Sequence, residues 1–141
     1  MHRFFLALLL PLAVSGRAHA ADSESGGIRL YSDICFHEES GDVLGVRIGI
    51  LNLEEGPYVL YQEAQGGLGQ AQIIKIDPRD IANSKITFSI QDGGVSNKFR
   101  GSITANRITG RFDSYRAGAR GNVVFKLDRV MLPQKGFPDC R

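Results

Sequence analysis

Histidine is nearly missing from this sequence. Of its three histidines, His2 and His19 lie in an N-terminal stretch that reads as a leader, which leaves His37. A zinc site needs three or four His or Cys ligands at suitable spacing, and the chain cannot assemble them. A Ser-His-Asp or Cys-His nucleophile would have to use His37 within CFHEESGD (35–42), where neighbours on a strand end give a general base no positioned partner. Glu38, Glu39 and Asp42 lack the alternating acids of a calcium loop and read as a solvated hairpin tip. Catalysis, metals and cofactors are therefore not expected. Cysteine is equally scarce: Cys35 and Cys140 are widely separated, and without C-x-x-C spacing they do not read as a redox pair. Long apolar runs are missing too. After the leader, no stretch approaches the ~20 apolar residues of a spanning helix. No window carries a convincing amphipathic helix, and PRDIA (78–82) offers one helical turn at most.

The leader itself has the order of a signal peptide. His2 and Arg3 are followed by FFLALLLPLAV, and Ala18-His19-Ala20 supplies the small-x-small end that signal peptidase reads. Pro11 argues against a buried helix there. The expectation is a signal peptide over 1–20 and a mature chain from Ala21, periplasmic or secreted, folded as a single domain over 21–141. No cysteine follows the cut directly, so the acceptor for a lipid anchor is missing. An exported chain meets oxidising conditions, so Cys35 and Cys140 are expected to pair. That bridge would tie back a tail, PQKGFPDCR, that has no strand pattern of its own.

Charge is balanced but unevenly placed. Arg3 and Arg17 leave with the leader, so the mature chain carries as many basic as acidic residues, 15 of each. Residues 21–63 hold nine acids against Arg29 and Arg47, whereas residues 98–141 hold ten Lys and Arg against Asp113, Asp128 and Asp139. An acidic beginning and a basic end suit a fold whose first and last strands lie side by side. A net-neutral exported chain with few exposed aromatics is an unlikely nucleic-acid binder.

Alternation with a period of two recurs along the chain, which is the strand signal. Ile28, Leu30, Ile34 and Phe36 are expected on one face of a first strand, and Leu44, Val46, Ile48 and Ile50 on one face of a second. Tyr58–Ala64 and Ala71–Ile76 give a third and fourth. Ile86, Phe88 and Ile90 mark a fifth, and Val123, Phe125 and Leu127 an eighth. Turn-forming clusters separate them: EESGD (38–42), EEGP (54–57), QGGLG (65–69), DPRD (77–80), DGG (92–94) and RAGARG (116–121). QGGLGQA (65–71) is a turn rather than a phosphate loop, because no helix follows it. Short strands with short connections point to an all-β antiparallel meander of about eight strands. Closure into a β-barrel removes its edges; a two-layer β-sandwich is the alternative.

The sixth and seventh strands lie in KFRGSITANRITGRFDS (98–114), which reads nearly the same in both directions. A two-residue turn at Ala105-Asn106 sets the register, facing Ile103 with Ile108, Gly101 with Gly110 and Phe99 with Phe112. The other face then places Arg100 opposite Arg111, a like-charge pair that is mildly destabilising. Two facing glycines mark either a bend of the sheet or room for a ligand. Gly101 and Gly110, Arg100 and Arg111, and the wall residues Tyr58 and Tyr61 are the candidate ligand contacts.

Size, leader and strand count resemble the small secreted barrels at large, among them lipocalins, avidins and bacterial lysozyme inhibitors. The chain has no Trp, so the G-x-W start of lipocalins and the Trp-lined pocket of avidins are both missing. The likeness is one of architecture, which does not give function. The expectation is an exported binding module with a small apolar mouth and an unidentified small apolar ligand. The alternative is a protein-protein inhibitor of an envelope or host enzyme, in the manner of a lysozyme inhibitor.

Overall fold

The computed structural model describes residues 27–113, 124–131 and 136–140. The expected leader (1–20), the cut before Ala21, the RAGARG turn with Arg116 and Arg120, and Val123 lie outside the described residues. Within them the alternating segments form nine strands: β1 (Ile28–Ser32), β2 (Cys35–His37), β3 (Asp42–Leu53), β4 (Gly56–Gly66), β5 (Gln72–Lys75), β6 (Lys85–Asp92), β7 (Val95–Ile103), β8 (Arg107–Phe112) and β9 (Phe125–Val130). They make one sheet in the order β5-β4-β3-β1-β9-β8-β7-β6, every ladder antiparallel, with β2 beside β3. The sheet curls into a nearly closed barrel, not a sandwich, and its two outer strands, β5 and β6, approach each other across a seam. The first and last strands are neighbours, with Leu30 opposite Val130. The ion pairs Arg100–Asp113 and Arg107–Asp128 nevertheless both fall inside the basic end.

The single helical turn, α1 (Pro78–Ala82), joins β5 to β6. Asp77 caps it by accepting the Arg79 N–H at 2.8 Å, and Pro78 opens it, where a missing N–H costs nothing. Ile81 packs on the core from this turn.

One strand differs from expectation. The first strand is split at Asp33-Ile34, and its inward residue is Tyr31, fully buried, rather than Ile28 or Leu30. Two features cause this. Gly49 leaves a notch on the outer face of β3, where a Cβ would lie 2.9 Å from Ile28 Cδ1 and 3.4 Å from Leu30 Cδ1, so those side chains fill the outside. Further along, the Asp33 carboxylate replaces a backbone acceptor, taking the Val46 N–H at 2.6 Å. The next residue on β3, Gly45, has φ +120, and a Cβ there would lie 2.8 Å from the Asp33 carbonyl, so glycine lets the strands touch. The chain bends, Ile34 becomes buried and Phe36 stays partly exposed, yet Ile28, Leu30 and Phe36 stand opposite Leu51, Gly49 and Val43, on the one outer face that their spacing predicts.

The hairpin of β7 and β8 keeps the expected register, with Phe99 opposite Phe112, Gly101 opposite Gly110 and Ile103 opposite Ile108. Its turn needs no glycine because Thr104 Oγ1 accepts the Arg107 N–H at 3.0 Å. The Thr104 carbonyl is then left for the Tyr31 hydroxyl, which donates to it at 2.9 Å across the barrel. Beside this turn, the hydrogen bond from Arg107 Nε (2.6 Å) holds the exposed Asp128 carboxyl below its usual range.

The interior is filled by rings. Phe88 and Phe99 stack at 4.9 Å, and Phe112 meets Phe99 edge-on at 5.2 Å and Phe125 at 5.8 Å. Such pairs each contribute about 0.5–1.5 kcal/mol beyond area burial. Around them lie Val46, Ile48, Ile50, Val59, Ile86, Ile108 and Leu127. Cys35 and Cys140 are bonded, and the tail adds a parallel bridge on β2 through Phe36 N–H to the Pro138 carbonyl (2.8 Å) and Cys140 N–H to the Phe36 carbonyl (2.9 Å). The Arg47 guanidinium, 5.7 Å from the Phe137 ring centre, holds the same tail.

Candidate functional site

The barrel has no backbone ladder between β5 and β6. Gln72 stands in for one: its Nε2 donates to the Gln91 carbonyl at 2.9 Å, and its Oε1 accepts the Gln91 N–H at 3.0 Å. A side-chain amide presents the donor and acceptor of a peptide group, so one glutamine latches the seam as a neighbouring strand would. Because the side chain is longer than a main-chain contact, the strands stand apart here, and a cavity of about 280 Å³ opens beside the latch.

Tyr61, Glu63, Gln65, Gln70, Gln72 and Gln91 line it, with Ile90 and the glycines of the 67–69 turn completing the wall. Tyr61 belongs to both the core and the cavity, its ring 5.8 Å from Phe112 and its hydroxyl donating to Glu63 Oε2 at 3.3 Å. Gln65 Nε2 donates to the other carboxylate oxygen at 2.6 Å. The turn that closes the cup is pinned back on β4: the Gly69 N–H donates to the Glu63 carbonyl at 2.8 Å, and Gln62 Nε2 donates to the Gly69 carbonyl at 2.9 Å. A Cβ at Gly69 would lie 2.9 Å from that Glu63 carbonyl, so glycine is what lets the turn close. The cup sets amide donors and acceptors round one carboxylate, over a floor of Tyr61 and Ile90. It is polar, in contrast to the apolar mouth expected, because the stacked phenylalanines occupy the space where an apolar calyx would be.

Of the residues singled out from sequence, only Tyr61 lines this cavity. Tyr58, three positions earlier on the same strand, projects from the outer face, where Lys75 Nζ lies 5.9 Å from its ring centre. Gly101 and Gly110 lie under the Phe99 ring: a Cβ at Gly110 would collide with it, and one at Gly101 would lie 2.5 Å from the Thr109 carbonyl. Arg100 and Arg111 face each other on the barrel exterior, and Arg100 Nε reaches Asp113 at 2.8 Å. His37 sits by the disulfide, its Nδ1 3.3 Å from Ser40 Oγ. Sequence reading missed Glu63, Gln65, Gln70, Gln72 and Gln91. The available signal was the run YQEAQGGLGQAQ (61–72), which brings four glutamines round one turn.

Among the described residues no group of His, Cys, Asp and Glu is arranged to hold a metal, and no helix is long and apolar enough to cross a membrane. Comparison with protein-family models, curated proteins and solved structures finds no match for this chain.

Proposed function

We propose that this chain is an exported binding module, without catalytic activity, whose site is the seam cavity and whose ligand is small, polar and rich in hydroxyl groups. The observation that carries this reading is the chemistry of the cup. Glutamine amides both donate and accept, as hydroxyls do, and a carboxylate accepts from two neighbouring hydroxyls at once. Tyr61 and Ile90 offer a small apolar floor for the C–H face of a ring. The volume of about 280 Å³ lies near the low end for small-molecule sites, which suits one sugar ring or a molecule of that size. Export is supported by the order of charged, apolar and small residues in the leader and by the Cys35–Cys140 bond. His37, the remaining histidine outside the leader, does not line the cavity.

NMR titration of the mature protein with a panel of neutral hexoses, amino sugars and uronic acids tests the reading. At least one is expected to shift the amides of Tyr61, Gln70–Gln72 and Gln91, and Glu63→Ala should weaken it by roughly tenfold or more. Shifts confined to other surfaces, or none with any member, would overturn it.

A further inference from the structure

The outer surface of β6–β9 is a second place where the chain departs from neutrality. Register aligns its side chains in rows: Thr87, Arg100 and Arg111 in one, Lys85, Ser102, Thr109 and Lys126 in the next, and Ser89, Lys98 and Asp113 in a third. Lys85, Lys98, Arg100, Arg111 and Lys126 are all exposed, and among the described residues the one apolar side chain in line with these rows is Val124, at the end of the Arg100–Arg111 row. Their one carboxylate, Asp113, is engaged by Arg100. Arg111 stands directly opposite Arg100 with no ion pair among the described residues. Two guanidiniums face to face destabilise a ladder unless an anion lies between them. Since the basic and acidic residues outside the leader balance, this concentration belongs to the face and not to the whole chain.

We propose that this face binds an acidic polysaccharide, with carboxylate or sulfate groups bridging Arg100 and Arg111 and extending to Lys98 and Lys126. Sheet geometry places these cations on a grid of roughly 5 Å between strands and 7 Å along them, a repeat that a chain of charged sugar rings can follow. Thr87, Ser89, Ser102 and Thr109 lie between the cations and offer hydroxyl partners to the sugar. A lipid bilayer is the poorer fit, because membrane-surface elements insert a whole apolar face beside their cations, whereas among the described residues Val124 alone is apolar in line with these rows. The proposal is independent of the seam cavity, which none of these residues lines.

Affinity of the mature protein for polygalacturonate, with neutral dextran as the control polymer, is measured at low and at raised ionic strength. Binding to polygalacturonate alone is expected, weakening as salt rises. Arg111→Ser combined with Lys126→Ser should lower affinity by roughly tenfold or more and flatten the salt dependence, with the thermal melt unchanged or raised. Lys75→Ser combined with Arg79→Ser removes the same charge elsewhere and should leave affinity within about twofold. Equal losses in the two double variants would mean that overall charge, not this face, does the binding, and would overturn the proposal. So would no binding at low salt, or tighter binding to phosphatidylglycerol vesicles than to the polymer.

Discussion

Gly101 and Gly110 are neighbours across the hairpin, and what they leave empty is already taken. The Phe99 ring covers Gly110, and the Thr109 and Arg100 carbonyls come within 2.5 and 2.6 Å of where the two Cβ atoms would stand. Small-to-large changes in such a layer force backbone to move and cost about 1–3 kcal/mol. Gly101→Val is therefore expected to lower the urea-unfolding free energy by at least that amount, while a ligand in the seam cavity keeps its affinity for the folded fraction. A variant as stable as the parent would show that the layer had room to spare. This pair was legible from sequence because the near-palindrome fixes which residues face each other. Whether the gap was filled was not legible, since that depends on the rotamer of Phe99. Tyr31 was hidden for a related reason: Ile28 and Leu30 have the better apolar pattern, but Gly49 opens a notch for them on the outside.

At the scale of elements, the weak join of the barrel is the seam. Eight ladders of main-chain hydrogen bonds hold the other neighbours together, whereas β5 and β6 meet through the two bonds of Gln72. Gln72→Leu removes both and leaves the Gln91 N–H without its acceptor. A net loss of about 1–3 kcal/mol follows from two hydrogen bonds of ordinary worth. Hydrogen exchange supplies the sharper reading: protection of the Gln91 amide should collapse while that of Phe88 and Phe99, on the far side of the strand, persists. Uniform loss across β6 and β7 would mean that the latch is structural throughout and not local. The strands themselves, their antiparallel order and the turn at 78–82 follow from alternation and turn residues, which act locally. The latch does not, because a glutamine that bonds a backbone nineteen residues away leaves no periodic trace. The same holds for the cavity, assembled from the end of β4, a turn and two strands that sequence places in separate elements.

For the molecule as a whole, the longest covalent loop is closed by Cys35 and Cys140, at a sequence separation of 105. In the chain-entropy treatment a loop of roughly 100 residues contributes about 4–5 kcal/mol, by restricting the unfolded chain. Replacing both cysteines by Ser should lower stability by a few kcal/mol in a reversible urea melt, and also free the Pro138–Cys140 bridge from β2. Equal melts for the two proteins under oxidising conditions would show that the tail is held by Phe137 on Arg47 and not by sulfur. The pairing was readable from two cysteines in a chain whose first twenty residues read as an export leader. The charge asymmetry was readable as well, but its outcome was not: the ends do meet as β1 and β9, yet the described ion pairs form inside the basic end, leaving its outer face unneutralised.

The place of β1, between β3 and β9, sets an order in time. The strand made first takes its second neighbour from the strand made last. Until Phe125–Val130 has emerged from the ribosome, β1 and β8 each keep one bare edge, and the walls carrying Val46, Ile48, Ile50 and Val59 on one side and Ile86, Phe88 and Phe99 on the other are joined edge to edge only at the Gln72 latch. A growing chain of this kind has no finished intermediate to stop at. It exposes the unpaired edges of β1 and β8, which can pair with other chains, until the last strand arrives. Loss of the last strand alone would leave two sheet halves with bare edges at β1 and β8, not a smaller barrel.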